Sequence, residues 1–455
     1  MILKIGHIVS WLMMSTILCI LGSCVNDNMA DCPDDIVTEN TLLLHISKLD
    51  AITPAEDGLK SEMIKSLRII VLSGHYIEYN DYIDLSVNFS EDFTYNYIRK
   101  VKPGEKKFYL IANEESVSDL KSETGIELPA GVTTLTSLLD NEMFKSQPIL
   151  DIDDDSGNAG KLESILNSIN FNPDYKEMVS DKYPYIYLPY SAYYDGPTID
   201  KDATPEMFYK PIYLVPVAAK FIFNFVNERV DPVRINGISM SYANNSNYLF
   251  AQVEGEDVEK ELSDKSYYWI DWLAEISQRS QKYPDFSDNT EFNRDYGWIS
   301  DYRVPNPDDT SEFIFIEKDS QDIITVPGVT YKIQNNETEP GTKSSPIFYV
   351  PESINYVNPN NTETIDEETD GNKSKEQFYY LTMYLEDVGG STPPKFENVA
   401  IPNLYSLFRN TYVIINLKMS EGDMEIYAEI TPWNPKWTNG WISEGDAPGN
   451  NPFIK

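Results

Sequence analysis

Aspartates at alternate positions form the first pattern in this sequence that could bind a ligand. The stretch DIDDDSGN places Asp151, Asp153 and Asp155 at the spacing of the first carboxylates in a calcium-binding loop. The turn glycine, Gly157, comes one place late, and Leu162 stands where such a loop needs a bidentate glutamate. The pattern therefore favours a solvated acidic loop, with weak calcium binding as the alternative.

Residues suited to catalysis are few. Beyond the N-terminal segment the histidines are His45 and His75, and both lie in or beside predicted strands. The sequence contains no Gly-x-Ser-x-Gly elbow, no His-Glu-x-x-His helix and no phosphate-binding glycine loop. We therefore predict packing or surface roles for both histidines, and no enzymatic activity.

Cys24 marks the end of an apolar N-terminal segment. The apolar run from Ile8 to Leu21 has the length of a signal-peptide core and falls short of the roughly 18 to 20 residues that span a bilayer. Small residues, Gly22 and Ser23, precede the cysteine, and Leu-Gly-Ser-Cys resembles the lipobox of bacterial lipoproteins. That resemblance implies cleavage after Ser23 and a covalent lipid on Cys24. The alternative is a secretory signal with a chance cysteine.

Charge and cysteine content restrict the class of protein. The formal net charge is -37, so a phosphate backbone would be repelled and nucleic acid is excluded as a partner. Of the three cysteines, Cys19 belongs to the predicted signal and Cys24 would carry lipid, which leaves Cys32 without an intrachain partner. We expect no disulfide framework and no cofactor beyond the lipid. An aromatic content of 13% indicates an extracellular, β-rich chain.

The elements of the first half are predicted from apolar patterns. A helix is predicted where apolar residues recur at helical spacing, at Leu162, Ile165, Leu166 and Ile169. Three apolar segments bounded by polar ones predict strands: Thr41–Ile46, Ser66–Leu72 and Lys107–Ala112. The Pro- and Asp-rich passage from Gly196 to Pro211 is interpreted as a linker, with a domain boundary near Lys210.

The second half begins and ends with alternating apolar residues. Phe221, Phe223 and Phe225 alternate to one face of a predicted strand. Near the end, a hairpin is predicted with its turn at Ser420–Asp423. Its inward residues are Val413, Ile415, Leu417 and Met419 on one strand and Met424, Ile426, Ala428 and Ile430 on the other.

Between these strands lies a long insertion where a specialised surface could sit. It contains polar, turn-rich stretches and one predicted helix, whose apolar stripe is Trp269, Trp272, Leu273 and Ile276.

Five segments carry a further resemblance: KKFYLIANEE, VAAKFIFNF, EQFYYLTMYLE, FRNTYVIINLKM and MEIYAEITPWN. They resemble segments of fimbrillin-type proteins, the subunits of donor-strand-assembled type V fimbriae. The resemblance implies a mostly β fold with two transthyretin-like antiparallel β-sandwich domains and short helical insertions. The expected organisation is a signal peptide at 1–23, a tether at 24–40, an N-terminal domain at 41–210, a C-terminal domain at 211–436 and a tail at 437–455.

The resemblance also implies a role. Family subunits assemble by β-strand donation, and stalk subunits lose their first strand to a protease that commonly cuts after arginine. No arginine precedes Arg68 in this sequence, and Arg68 itself lies in a predicted core strand. Cys32 resembles the second cysteine of anchor subunits. We therefore expect a lipid-anchored subunit on the outer membrane surface, as an anchor or as a tip or accessory subunit, whose partners are other fimbrial subunits.

The C-terminal tail and the insertion leave alternatives open. The tail residues Trp433, Trp437, Trp441 and Phe453 are a candidate donor or contact segment, or they fold back onto their own domain. Exposed tyrosines and tryptophans of the insertion would suit the alternative function, a surface glycan-binding lipoprotein of the outer membrane. A glycan or host-surface ligand is therefore a further expected partner.

Overall fold

The computed structural model describes the central part of the chain with several gaps. The described residues are 40–48, 62–86, 93–122, 125–146, 157–171, 187–200, 207–241, 243–253, 302–303, 312–318, 323–326, 343–344, 346–354, 379–387, 396–401, 404, 406–407, 409–420 and 424–432. All of them fall within one compact unit, Asn40–Lys455.

The first half of this unit consists of strands with short helices between them. The strands are β1 (Asn40–Lys48), β2 (Ser66–Ser73), β3 (Tyr76–Asp84), β4 (Thr94–Val101), β5 (Gly104–Ala112), β6 (Asn170–Phe171), β7 (Tyr190–Ile199) and β8 (Met207–Pro216). The helices are α1 (Leu135–Leu139) and α2 (Ala159–Leu166), with 3-10 turns at Glu114–Ser116 and Glu142–Phe144. The three strands predicted from apolar segments are confirmed as β1, β2 and β5.

The second half is built from strands. Those that form its core are β9 (Ala219–Asn227), β10 (Val233–Ser241), β14 (Glu312–Ile316), β15 (Ile324–Val326), β16 (Lys343–Ser344), β17 (Ile347–Val350), β19 (Tyr380–Asp387), β20 (Phe396–Ala400), β22 (Thr411–Met419) and β23 (Met424–Pro432). Short strands complete the set: β11 (Asn247–Tyr248), β12 (Gln252–Val253), β13 (Tyr302–Arg303), β18 (Ser353–Ile354) and β21 (Ser406–Leu407). The prediction of a mostly β fold is confirmed.

The main strands of the first half follow one path that folds over on itself. The order is β3, β2, β5, β7, β8, β1, β4, and β7 joins β8 at two residue pairs, Tyr190↔Pro216 and Ser191↔Val215. The two ends of the path meet, because the Tyr97 hydroxyl on β4 donates to the Asp81 carboxylate on β3 at 2.8 Å. The result is a sandwich with β3, β2, β5 and β7 in one layer and β8, β1 and β4 in the other.

The core of this sandwich comes from the alternating inward side chains of both layers. Its fully buried members include Leu42, Leu44 and Ile46 of β1, Leu67, Ile69 and Val71 of β2, Phe108 and Leu110 of β5, and Ile212 and Leu214 of β8. Each such side chain contributes about 1.5 to 3 kcal/mol by leaving water.

The outer side of the β2–β5 layer is covered by the helices. Leu135, Leu138 and Leu139 of α1 and Leu162, Ile165 and Leu166 of α2 pack against Ile70, Tyr109 and Ile111. A capping box begins α1, where the Thr134 and Ser137 side chains accept from each other's backbone N–H at 3.2 Å. The predicted helical stripe is confirmed as α2, and Ile169 is buried just beyond its end.

Two further sheets enclose the core of the second half. One runs β14, β10, β19, β20, with β15 also paired to β10; the other runs β16, β9, β22, β23, with β17 also paired to β9. Phe221, Phe223 and Phe225 are fully buried between them, as predicted. The predicted hairpin is confirmed as β22 and β23, with Ile415 opposite Ala428.

The predicted linker from Gly196 to Pro211 was wrong in part, because β7 and β8 occupy both ends of it. Gly196 allows the Phe108 ring to pack against the β7 backbone, because a Cβ at this position would lie 2.5 Å from that ring. The β5–β7 register also shifts opposite Gly196, between Glu105 and Lys107. Pro211 stands opposite His45 in the β1–β8 ladder, and β7 pairs with β8 only at Tyr190↔Pro216 and Ser191↔Val215, so at Pro211 the β7 side of β8 is not paired with a described strand. The predicted boundary near Lys210 falls inside β8, and the strand that follows β8, β9, packs in the second core.

Candidate functional site

Strand β1 has an unusual place in the first sandwich. It lies between β8, to which it is parallel, and β4, to which it is antiparallel. Neither neighbour is adjacent to β1 in sequence, and the next strand along the chain, β2, belongs to the opposite layer. β1 therefore completes its layer as an inserted strand and forms no hairpin with another described strand.

The sequence of β1 divides its side chains between two faces. Leu42, Leu44 and Ile46 are fully buried in the core, whereas Thr41, Leu43, His45 and Ser47 alternate with them on the outer side and are half-buried. A strand with this pattern fits its slot in one register only, because a slip of one residue would turn the three apolar side chains to solvent.

The two histidines have packing and backbone contacts. His45 Nδ1 lies 2.7 Å from Asn96 Oδ1 on β4, and its ring stacks on Tyr209 of β8 with 6.5 Å between ring centroids. His75 is exposed in the β2–β3 turn, and its carbonyl oxygen accepts from the Ala159 amide at 3.0 Å. These contacts agree with the packing and surface roles expected from sequence.

A buried ion pair links the first sandwich to the second just before β2. Lys220 Nζ on β9 lies 2.6 Å from Glu62 Oε1, with both side chains nearly excluded from solvent. The Tyr349 hydroxyl on β17 donates to the same carboxylate at 2.8 Å, and the Tyr190 hydroxyl on β7 donates to the Glu62 carbonyl at 3.1 Å. Residue 62 is thus held by strands from both halves.

A second buried pair lies at the same junction, because Arg409 Nη1 of the second half is 3.5 Å from Ser191 Oγ on β7. Arg409 Nε donates to Glu352 Oε2 at 2.9 Å, and the Glu352 Oε1 atom accepts from the Arg409 amide at 2.8 Å. The guanidinium also donates to the carbonyls of Leu249 at 3.1 Å and Tyr248 at 2.9 Å. In both pairs each charged side chain has a partner of opposite sign, and neither pair includes a residue of β1.

Arg68 of β2 forms a third buried network, which was not predicted. Its Nε and Nη2 donate to Glu114 at 2.8 and 2.6 Å, and Nη2 also reaches Asp140 at 2.8 Å. Burial opposes the charged form of Arg68, but the two carboxylates outweigh it, so the pKa of the guanidinium is raised. A lone arginine inside the apolar strand SLRIIVL was the signal, since a buried charge needs a partner. The burial of Arg68 also confirms that it lies in a core strand.

Most of the residues predicted to carry function lie outside the described ranges. They are the lipid and cleavage residues Cys24 and Ser23, the tail residues Trp433, Trp437, Trp441 and Phe453, the acidic triplet Asp151, Asp153 and Asp155, and the insertion residues Trp269, Trp272, Leu273 and Ile276. These assignments stay predictions.

The described ranges contain neither a candidate membrane span nor a candidate metal site. Within them, no helix has both the length and the hydrophobicity needed to cross a membrane. The same ranges contain no group of three or more histidine, cysteine, aspartate or glutamate side chains placed to hold a metal ion.

Comparison with known proteins gives structural neighbours only. No protein-family model matches the chain, and no curated protein matches it. Among solved structures, it is similar to the tip fimbrial protein Mfa3 from Porphyromonas gingivalis with C-terminal truncation, at 15% identity and a TM-score of 0.42, over 87% of this chain and 100% of that one.

Two further neighbours come from Parabacteroides distasonis. A fimbrial assembly protein is 9% identical with a TM-score of 0.34, over 87% of this chain and 98% of its own. A protein provisionally described as a cell adhesion protein is 11% identical with a TM-score of 0.39, over 88% of this chain and 98% of its own.

Proposed function

We propose that this chain is a lipid-anchored structural subunit of a cell-surface fimbria that assembles by β-strand donation. The observation that carries the proposal is the place of β1. It fills a slot between β8 and β4 with three buried apolar side chains. The next described strand along the chain is β2, which lies in the opposite layer and does not pair with β1. A strand from another chain could fill the same slot.

The energetics of such an exchange follow from the slot. Without β1, the facing edges of β8 and β4 would have unpaired backbone groups, and the core would lose the cover of Leu42, Leu44 and Ile46. A donated strand of the same alternation restores both the hydrogen bonds and the apolar contacts. The buried pairs at Glu62 and Arg409 would keep the two halves together meanwhile, since neither pair involves β1.

The finer parts of the proposal come from the sequence. Cys24 would carry the lipid and hold the chain at the outer membrane surface, and the subunit would act as an anchor or as a tip or accessory subunit in adhesion. Its partners would be other fimbrial subunits, and the role is structural, without catalysis.

Deletion of Thr41–Ile46 tests the assembly role. In cells that build the fibre, the deleted chain has an open slot between β8 and β4, so a strand donated by another subunit should fill it and the chain should be recovered folded in sheared fibres. A matched control replaces Thr41 and Ser47 by alanine, which keeps the inward side chains and Leu43, and this variant should keep its own β1 in the slot and still assemble. Absence of the folded, deleted chain from sheared fibres would refute strand exchange at β1.

Mass spectrometry of the mature N-terminus tests the anchor. Chain purified from envelopes should begin at Cys24 with lipid attached, and Cys24→Ala should release it from the membrane fraction. A mature chain that begins beyond β1 would contradict the anchor role and would point to a stalk subunit.

A further inference from the structure

The outward side of the β8–β1–β4 layer differs from the rest of the described surface. We call it the outer face. It consists of Met207, Tyr209 and Tyr213 of β8, Thr41, Leu43, His45 and Ser47 of β1, and Thr94, Asn96, Ile98 and Lys100 of β4. These side chains alternate with the inward set that fills the first core.

Large apolar side chains are concentrated on this face. Ile98 is 53%, Met207 64% and Tyr209 56% exposed, and they are three of the seven exposed large hydrophobic residues among the described ones. Leu43 stands opposite both Ile98 and Tyr209 in the two ladders, so the three form one row across the layer. A contiguous exposed apolar row of this kind is typical of an interaction surface.

The charge of the outer face is also unlike that of the chain. The chain has 73 aspartates and glutamates against 36 lysines and arginines, yet no carboxylate belongs to the residues of the outer face, which include Lys100. An acidic partner would therefore meet least repulsion here. Depletion of charge together with exposed tyrosine and methionine is the composition of an interface centre.

The edge beside the outer face is protected, so a partner would bind to the face itself. The Tyr79 hydroxyl of β3 donates to the Lys100 carbonyl of β4. The Glu78 carboxylate accepts from the Lys102 amide at 2.7 Å, just beyond the end of β4. Side chains thus occupy backbone groups that a further strand would need, which disfavours strand addition along this stretch of β4.

We propose that the outer face is a docking surface for the neighbouring subunit of the fibre, an acidic protein that packs an apolar patch against the row Tyr209, Leu43 and Ile98. The inference rests on the proposed function. Three strands of this length present on the order of 400 Å², about half of what one partner contributes to a stable interface. The face therefore acts as a second contact beside the donated strand and does not hold a dimer alone.

Charged substitutions on the outer face test this contact. Ile98→Glu, Tyr209→Glu and Lys100→Glu each add negative charge at an exposed site, and Ile314→Glu on β14, at a residue 38% exposed, is the matched control. The share of each full-length chain in sheared fibres is measured beside its melting temperature. The face variants should fall at least tenfold in incorporation with unchanged melting, and the control should stay within twofold of the parent chain.

The outcomes separate this inference from the proposed function. If the β1-deleted chain enters fibres and the face variants enter them as well as the parent chain does, the docking surface is refuted and strand exchange stands. A photo-crosslinker at Ile98 in assembled fibres should capture another fimbrial subunit. Capture of a second copy of this chain, or dimers of the purified chain that Ile98→Glu dissociates, would overturn the proposed occupant, as would a crosslink to glycan alone.

Discussion

The first strands of the two halves, β1 and β9, occupy equivalent positions but are attached differently. β1 is parallel to β8 and antiparallel to β4, and β9 is parallel to β22 and antiparallel to β17. Each turns three alternating apolar side chains into its core. However, β9 follows β8 after Val217 and Ala218 alone, and its Lys220 is bound to Glu62.

The difference in attachment shows what makes a strand exchangeable. Removing β9 would displace β8 and break the junction between the halves, whereas β1 contributes no residue to the Glu62 or Arg409 pairs. Burial alone does not distinguish the two strands, because both have fully buried inward side chains. Connectivity and the buried ion pairs therefore decide which strand can leave.

The largest expected effect is in β9. Phe223→Ala should lower the free energy of unfolding by about 3 to 5 kcal/mol, because a fully buried ring packed among other aromatic rings leaves a cavity that cannot collapse. Phe223 lies 5.0 Å from Phe315 and 5.8 Å from Phe348 between ring centroids. Urea unfolding measures the loss, with Ile314→Ala as the surface control. A loss below about 1 kcal/mol would show that this core is loosely packed.

Loss of the buried Lys220–Glu62 pair at the junction should lower the stability nearly as much as Phe223→Ala does. Lys220→Met should cost about 3 kcal/mol, because it leaves the Glu62 carboxylate buried without its cation. The double variant Lys220→Met with Glu62→Leu should recover much of that loss, since neither buried charge remains. Chemical unfolding of the four combinations gives the coupling between the residues. If the single and double variants lose equal stability, the pair does not hold the junction.

A smaller effect is expected in β1. Leu44→Ala should cost about 2 to 3 kcal/mol, and Leu43→Ala on the outer side of the same strand should cost less than half as much. Hydrogen exchange followed by mass spectrometry should show that Leu44→Ala raises exchange in β1, β4 and β8 and leaves β9 protected. Equal deprotection of β9 would mean that the two strands leave together and would remove the contrast between them.

The smallest effect is expected from an exposed ion pair. Lys418 Nζ lies 3.2 Å from Glu228 Oε1, but both side chains are almost half exposed. Lys418→Ala should therefore give no resolvable shift in melting temperature, since solvent and salt screen such pairs. A clear shift would indicate that this exposed pair contributes to stability as the buried pairs do.

Regular alternation explains which elements could be predicted from the sequence. Strands β9 and β22 alternate apolar residues, and β2 and β5 contain short apolar segments, so all four were predicted, as was the helical stripe of α2. β7 and β8 were missed at the predicted linker because Gly196, Pro197 and Pro211 are typical of turns. Gly196 is instead required by its close contact with Phe108, and Pro211 lies where β8 is paired with β1 and not with β7. Both features depend on the tertiary structure and leave no local signal in the sequence.

The candidate site was predicted only in part. The first strand was expected, but its parallel pairing with β8 joins segments far apart in sequence, and alternation does not specify a partner. The buried pairs of Lys220 with Glu62 and of Arg409 with Glu352 were also missed, because in a chain with 73 acidic residues no particular carboxylate stands out as a partner. The sequence feature that could have revealed these pairs is a single basic residue within an apolar run, as at Lys220 and Arg68, because a buried charge needs a partner.

Exchange of β1 in the intact chain tests the central claim most directly. A specific protease site is placed within residues 49–61, the purified full chain is nicked there, and an isotopically labelled peptide of residues 40–48 is added. Native mass spectrometry should show the labelled strand replacing β1 while the rest stays folded, and a peptide with serine in place of Leu42, Leu44 and Ile46 should not exchange. Retention of the original strand against a large excess of peptide, or unfolding of both halves when it leaves, would contradict the account.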